Sequence, residues 1–149
     1  MKQKSTDLSA EQLINRAFKC HSQGNIPDAA KYYQQFIDQG FKDCRVFSNY
    51  GLILQDTGKL KEAKISTRKA IELNPSFAEA HSNLGNILRD LGKLKEAELS
   101  TCKAIEIKPD LADAAWNLYG LANTIEEAEE RINQCLKIND NHLEAKLTL

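Results

Sequence analysis

Four asparagines recur along this chain about 34 residues apart: Asn15, Asn49, Asn83 and Asn117. An amide side chain carries donors and an acceptor, so it can satisfy main-chain groups whatever side chains accompany them. The same amides can instead bond across neighbouring helices, and one amide can do both. Residues that carry covalent or acid–base chemistry show no comparable order. His21, His81 and His142 are scattered, and no serine or cysteine sits in a nucleophile motif. Glu129 and Glu130 are adjacent and would leave a helix in different directions. Cys20, Cys44, Cys102 and Cys135 fall into no short metal-ligand spacing, and the glycines recur at the asparagine period instead of forming a phosphate loop. These residues lead to a non-catalytic binding module with no cofactor and no metal.

The elements that must position the asparagines follow from the stretch 81–110, HSNLGNILRDLGKLKEAELSTCKAIEIKPD. It aligns without a gap on the stretch 47–76, FSNYGLILQDTGKLKEAKISTRKAIELNPS, with more than half the positions identical. Leu84, Gly85, Ile87, Leu88 and Leu91 fall on one face of a helix. Gly92 interrupts, because glycine takes a left-handed turn cheaply. A second periodic run holds Leu94, Ala97, Thr101, Ala104, Ile105 and Ile107, and Pro109 stops it. Two short helices joined so tightly must lie antiparallel. Gly85, Ala97 and Ala104 are small where they meet, and such a pair buries its faces only by stacking on further copies.

The period, the block Gly-Lys-Leu-Lys-Glu-Ala and the terminal proline resemble the tetratricopeptide repeat (TPR) family, and the segment SNLGNILRDLGKLKEAE is similar to the subclass in the TPR arm of O-linked N-acetylglucosamine transferase. The resemblance implies an all-α fold, a right-handed superhelix of stacked antiparallel helix pairs. It also implies a concave groove lined by the first helix of each pair. Carried over residue by residue, the groove positions are Asn15, Asn49, Asn83 and Asn117, flanked by Arg45, Glu79 and Asp113 and by Ser48, Ser82 and Trp116. Asn86, then Gln55, Arg89 and Asn123, lie a turn or more further on. Trp116 is either an exposed anchor or buried between repeats. Members that bind chaperone tails use a lysine clamp where this chain has Ile14, Ser48, Ser82 and Trp116, which argues against such a tail as ligand.

Taken in order, residues 1–8 read as a polar lead-in and 9–149 as one solenoid. The repeats are 10–43, 44–77, 78–111, a shortened 112–142, and 143–149 as the start of a further or capping helix. Capping boxes are expected at Ser9 with Gln12, Ser76 with Glu79, Thr124 with Glu127 and Asn141 with Glu144. In the fourth repeat Ala128 comes three residues early, which predicts a shortened turn between its helices. An ungapped register there buries Ala115, Leu118, Leu121 and Ala122. The alternative inserts one residue to bring Gly120 onto the family's glycine.

Of 149 residues 42% are hydrophobic and 28% charged, and the net charge is −1, which gives no bulk attraction to nucleic acid or to an anionic membrane. Lys59, Lys61, Glu62 and Lys64 read as a solvated helix face. Neither a leader nor a spanning segment is legible, and cysteines at helix-core positions such as Cys20 and Cys135 read as small buried thiols. A reduced, cytoplasmic protein is expected, with a protein or peptide segment as partner. Two other readings stand beside it. The chain is the recognition arm of a larger glycosyl- or sulfotransferase-like enzyme, or it is a scaffold that self-associates through its C-terminal helix.

Overall fold

Where each helix starts is decided by the side chains that precede it. Ser9 Oγ accepts from Gln12 N at 3.2 Å and Gln12 Oε1 accepts from Ser9 N at 2.9 Å, the expected reciprocal box opening α1 (Ala10–Ser22). Asn25 caps α2 (Ile26–Asp38), with Pro27 in its first turn, and Asp43 caps α3 (Cys44–Asp56) through Arg45 N at 2.8 Å. The helices α4 (Leu60–Leu73), α5 (Ala78–Asp90), α6 (Leu94–Ile107), α7 (Ala112–Tyr119) and α8 (Ile125–Leu147) follow. This computed structural model describes residues 7–147, with side chains described as far as 137. Within that range there are eight helices and no strand. Most of the lead-in, the last two residues, and the side chains of Asn141, His142 and Glu144 lie outside it.

Consecutive helices pair as antiparallel hairpins, α1 with α2, α3 with α4, and α5 with α6. The first helices α3, α5 and α7 stack in one layer, and α6 meets α8 in the other. Glycines at positive φ end α1, α3 and α5: Gly24 at 74°, Gly58 at 78° and Gly92 at 77°. The tightest packing is inside the second and third hairpins. A Cβ at Gly51 would overlap Thr67 Oγ1, and one at Gly85 would overlap Thr101 Oγ1 and stand 3.2 Å from Ala97 O. A helix-interior glycine costs about 1 kcal/mol against alanine, so close approach of the two backbones is what these positions supply. Ala63, Ala70, Ala97 and Ala104 are fully buried along the same seam. At the N-terminal end Leu13, Ala17, Ala29, Tyr33, Phe36 and Val46 form the largest cluster.

Several expectations are corrected. Ser76 and Glu79 form no capping box: α5 starts at Ala78, one residue too late for Ser76 to be its cap, and the N–H of Ser76 is taken by Asn74 Oδ1 at 3.1 Å. Glu79 pairs instead with Lys108 at 3.3 Å. In the fourth repeat the helix is shortened, not the turn. The connection between α7 and α8 runs over 120–124, against 91–93 between α5 and α6, while α7 has only 8 residues. Tyr119 stands where Gly51 and Gly85 stand, so the close approach those glycines allow is closed here, and α7 ends at this residue. Gly120 is the C-cap, in right-handed conformation. The register is ungapped, and it buries Ala114, Asn117 and Leu118, while Ala115, Leu121 and Ala122 are only half-buried.

At the start of α8, Thr124 Oγ1 accepts from Glu127 N at 3.1 Å, but Glu127 Oε2 reaches back to Asn123 N at 2.9 Å and not to Thr124. The helix expected to open at Leu143 is not separate, since α8 continues from Ile125 to Leu147. No glycine or proline lies between Leu136 and Leu143, so nothing stops it. Cys135 is no free thiol. It is bonded to Cys102, with Cα atoms 5.2 Å apart, whereas Cys20 and Cys44 are unpaired.

Candidate functional site

The recurring asparagines stand on α1, α3, α5 and α7, and two of them make the same kind of bond. Asn83 Nδ2 donates to Ser48 Oγ at 3.1 Å, and Asn117 Nδ2 donates to Ser82 Oγ at 2.9 Å. Each amide therefore reaches back one repeat to the serine beside the preceding asparagine. That serine position in the first repeat is Ile14, which has no hydroxyl. Asn49 Nδ2 turns instead to the phenol of Tyr33 on α2, at 3.3 Å. Asn15, at the first position of the row, is exposed. Ser48 and Ser82 are buried and Asn117 is only 7% exposed, so these bonds lie inside the stack of first helices. Asn49 and Asn83 are half-buried, and each amide retains an oxygen and a second N–H beyond the bond described.

Tyr33 joins this row to a small cleft. Its ring is fully buried and packs edge-on against Phe18, centroids 6.1 Å apart, and against His21 at 5.9 Å. The phenol oxygen lies 2.9 Å from His21 Nδ1. Asn49 donates to the same oxygen, so the phenol joins the imidazole to the amide row. Burial pushes the Tyr33 pKa up, and the Asn49 bond opposes this only partly, so the phenol stays neutral. Phe18, His21, Ser22, Tyr33 and Asn49 line a cavity of about 270 Å³ open to solvent.

The flanking positions fall into two groups. Some are already engaged. Arg45 grips the Asp43 carboxylate with Nη2 at 2.7 Å and Nε at 3.1 Å and lies 5.3 Å over the Phe18 ring. The Arg45 hydrogen bonds hold the Asp43 carboxyl below its usual range, against the opposing effect of partial burial. Gln55 Nε2 donates to Asp90 Oδ2 at 2.7 Å, tying α3 to α5, and Arg89 Nε lies 3.8 Å from the same carboxylate's Oδ1. Others are open. Trp116 is 77% exposed, its ring 6.4 Å from that of Tyr119, so it is not buried between repeats. Asn86 is half-buried, with its Oδ1 enclosed and unbonded.

His81 Nε2 lies 2.8 Å from Pro75 O and is thereby held against the turn before α5. Among the described residues no group of three His, Cys, Asp or Glu side chains could hold a metal ion. No described helix is long and apolar enough to cross a membrane. Sequence reasoning missed the serine partners. It named Ser48 and Ser82 as ligand-facing neighbours, and their signal was present in the same interval as the asparagines.

An all-helical stack of antiparallel pairs with this close-packed seam is the right-handed tetratricopeptide superhelix. Residues 45–77 and residues 67–98 each match a description of the tetratricopeptide repeat. Among curated proteins, a Triticum aestivum Hsp70-Hsp90 organizing protein is 34% identical over 67 residues, which span 45% of this chain and 11% of that one. Among solved structures, MamA superposes with a TM-score of 0.74 at 19% identity, covering 95% of this chain and 84% of MamA. An O-GlcNAc transferase mutant from Thermobaculum terrenum gives 0.70 at 22% identity, covering 81% of this chain and 23% of that one. The first TPR of Spaghetti (RPAP3), bound to the HSP90 peptide SRMEEVD, gives 0.69 at 21%, covering 78% and 95%.

Proposed function

We propose that this chain is a non-catalytic interaction module that binds an extended peptide or protein segment along the face formed by α1, α3, α5 and α7. The observation that carries this reading is Trp116. A single large aromatic stands 77% exposed next to the innermost amide–serine bond, while the core behind it is filled. Exposed tryptophans over a rigid support are the residue type that most often anchors a partner. Asn49 and Asn83 supply the unspent halves of two amides, and Asn15, Asn86 and Arg89 extend the same face. Ser48 and Ser82 act by holding the amides, and Arg45 and Gln55 contribute through the carboxylates they already hold.

The wording of α5 and the asparagine row, which resemble the TPR arm of O-linked N-acetylglucosamine transferase, support a ligand read by its backbone. A chaperone tail is disfavoured. At the positions of the lysine clamp this chain has Ile14, Ser48, Ser82 and Trp116, and both serines are buried and bonded. The Thermobaculum match, which spans 23% of that chain, motivates a second reading in which these repeats are the recognition arm of a larger enzyme. Our reading of the compartment is cytoplasmic.

The test is selection from a display library of random 12-residue peptides, followed by affinity measurement on the enriched sequences. Binding near 1 μM needs about −8 kcal/mol, and one amide contributes roughly 0.5–1.5 kcal/mol net, so several contacts must act together. Asn49→Ala combined with Asn83→Ala is expected to weaken the selected peptides more than ten-fold, beyond the stability loss of about 0.5–1 kcal/mol that Asn83→Ala itself carries, and Trp116→Ala by at least as much, with its melting midpoint nearly unchanged. Peptides that bind all three proteins equally would remove the ligand from this face.

A further inference from the structure

We propose that Cys102 and Cys135 form a thiol–disulfide clasp that holds the fourth repeat on the third, so that α7 and α8 are ordered when the pair is oxidised and open locally when it is reduced. The bond joins α6 to α8, the second helices of consecutive repeats, and closes a loop of 33 residues that contains all of α7. Such a crosslink stabilises mainly by removing open conformations of the chain it encloses.

Three features make this end of the molecule depend on it. α7 has 8 residues, too few for a helix to persist without packing. The glycine–threonine approach that locks the second and third hairpins is absent, because Tyr119 and Ile132 occupy those positions in the fourth. The cluster that holds α7 is Ala104, Ile105, Ala114, Leu118 and Cys135 itself, so one of its members is half of the clasp. Cys135 stands where Ala70 and Ala104 stand in the preceding repeats and is 2% exposed. That site takes a small side chain in either redox state, and the third repeat supplies the second sulfur from Cys102. Cys20 and Cys44 have no sulfur partner, so the pairing is confined to this joint.

Cys102 is the half-buried member and is the sulfur a small reagent reaches. Its thiolate attacks oxidised glutathione, forming a mixed disulfide and releasing one glutathione thiol. The Cys135 thiolate then displaces the second glutathione from Cys102. Two protein thiols lose two electrons and two protons in total, and one glutathione disulfide becomes two thiols. Reduction runs the same steps backwards. In a reducing compartment a bond of this kind serves as a sensor, where in an oxidising one it is permanent. The expected consequence, loss of Trp116 and Asn117 from the binding face on reduction, rests on the reading proposed above; the clasp does not.

Two measurements on the whole chain test it. Iodoacetamide applied to denatured, unreduced protein purified under air should modify two of the four cysteines, Cys20 and Cys44, and all four after reduction. Hydrogen exchange read by mass spectrometry should then show amides of α7 and α8 exchanging on the order of 10²-fold faster in the reduced protein. Those of α3 to α5 should stay within about two-fold. Cys135→Ala, which restores the residue of the preceding repeats, should match the reduced protein and ignore reductant. Four modified cysteines in protein incubated with excess oxidised glutathione would overturn the proposal. So would equal exchange of α7 and α8 in the two redox states.

Discussion

The third and fourth repeats meet the same requirement, holding two antiparallel helices together, by different means. In the third, Gly85 lets the backbone of α5 approach Thr101 on α6, and both helices run their full length. In the fourth, Tyr119 occupies that position, α7 stops after 8 residues, and a disulfide ties α8 to α6 of the neighbouring repeat. In both repeats the first-helix amide still bonds back to the preceding serine with the same spacing, 83 to 48 and 117 to 82. Stacking between repeats therefore survives where closure within a repeat has changed. The two are separate physical contributions, one set by first helices lying side by side and the other by how near a hairpin's axes can come.

The largest effect that would break this comparison is at the glycines. Gly85→Val should cost about 3 kcal/mol, the upper end of ordinary overpacking, because the new side chain meets Thr101 and the Ala97 carbonyl. Gly120→Ala should stay within about 0.5 kcal/mol. Its Cβ would meet Arg89 Nη1 at 3.1 Å, the end of a flexible side chain, and its backbone is already right-handed. Urea unfolding midpoints of the two variants decide it. Equal losses would mean that the close approach is not what distinguishes the repeats.

A middle-sized effect separates the two amide bonds. Asn117→Ala is expected to lower stability by about 1–2 kcal/mol, since its bond to Ser82 is buried and Ser82 would be left unpaired. Asn83→Ala should cost about 0.5–1 kcal/mol, because that amide is half-buried and water can replace part of its bonding. Thermal melts in the reverse order would show that exposure does not set the structural share of each amide.

The smallest effect is electrostatic and confined to the fourth repeat. The Glu127 carboxylate is held below its usual pKa chiefly by the Asn123 N–H, with Arg131 adding to this and burial opposing it. A depressed carboxylate contributes its bond above the unfolded-state pKa and loses it as pH falls through the lower folded value. The Asn123 amide resonance should therefore shift in a titration centred below the ordinary glutamate range. At the start of α6 no side chain caps the helix, and Lys93 N should show no matching step. An Asn123 amide that follows an unperturbed glutamate would remove Glu127 from the turn.

Much of this was legible in one chain of letters. The 34-residue interval and the positions of Gly92, Pro109, Ala97 and Gly85 specify hairpins that must stack, because backbone conformation and side-chain volume are local properties that repeat with the sequence. Ser9, Asn25 and Asp43 announced helix starts for the same reason, since a cap acts within a few residues. The cap assigned to Ser76 failed by one residue, an offset that only the packed position of α5 sets. The serine partners of the asparagines were equally periodic, yet which amide meets which hydroxyl depends on helices 35 residues apart in sequence. Tertiary structure alone decided three further matters: that Trp116 is exposed, that Tyr119 ends α7, and that Cys102 faces Cys135. Each is a relation between surfaces of different helices, and a pattern read along one helix carries no measure of how close its neighbour comes.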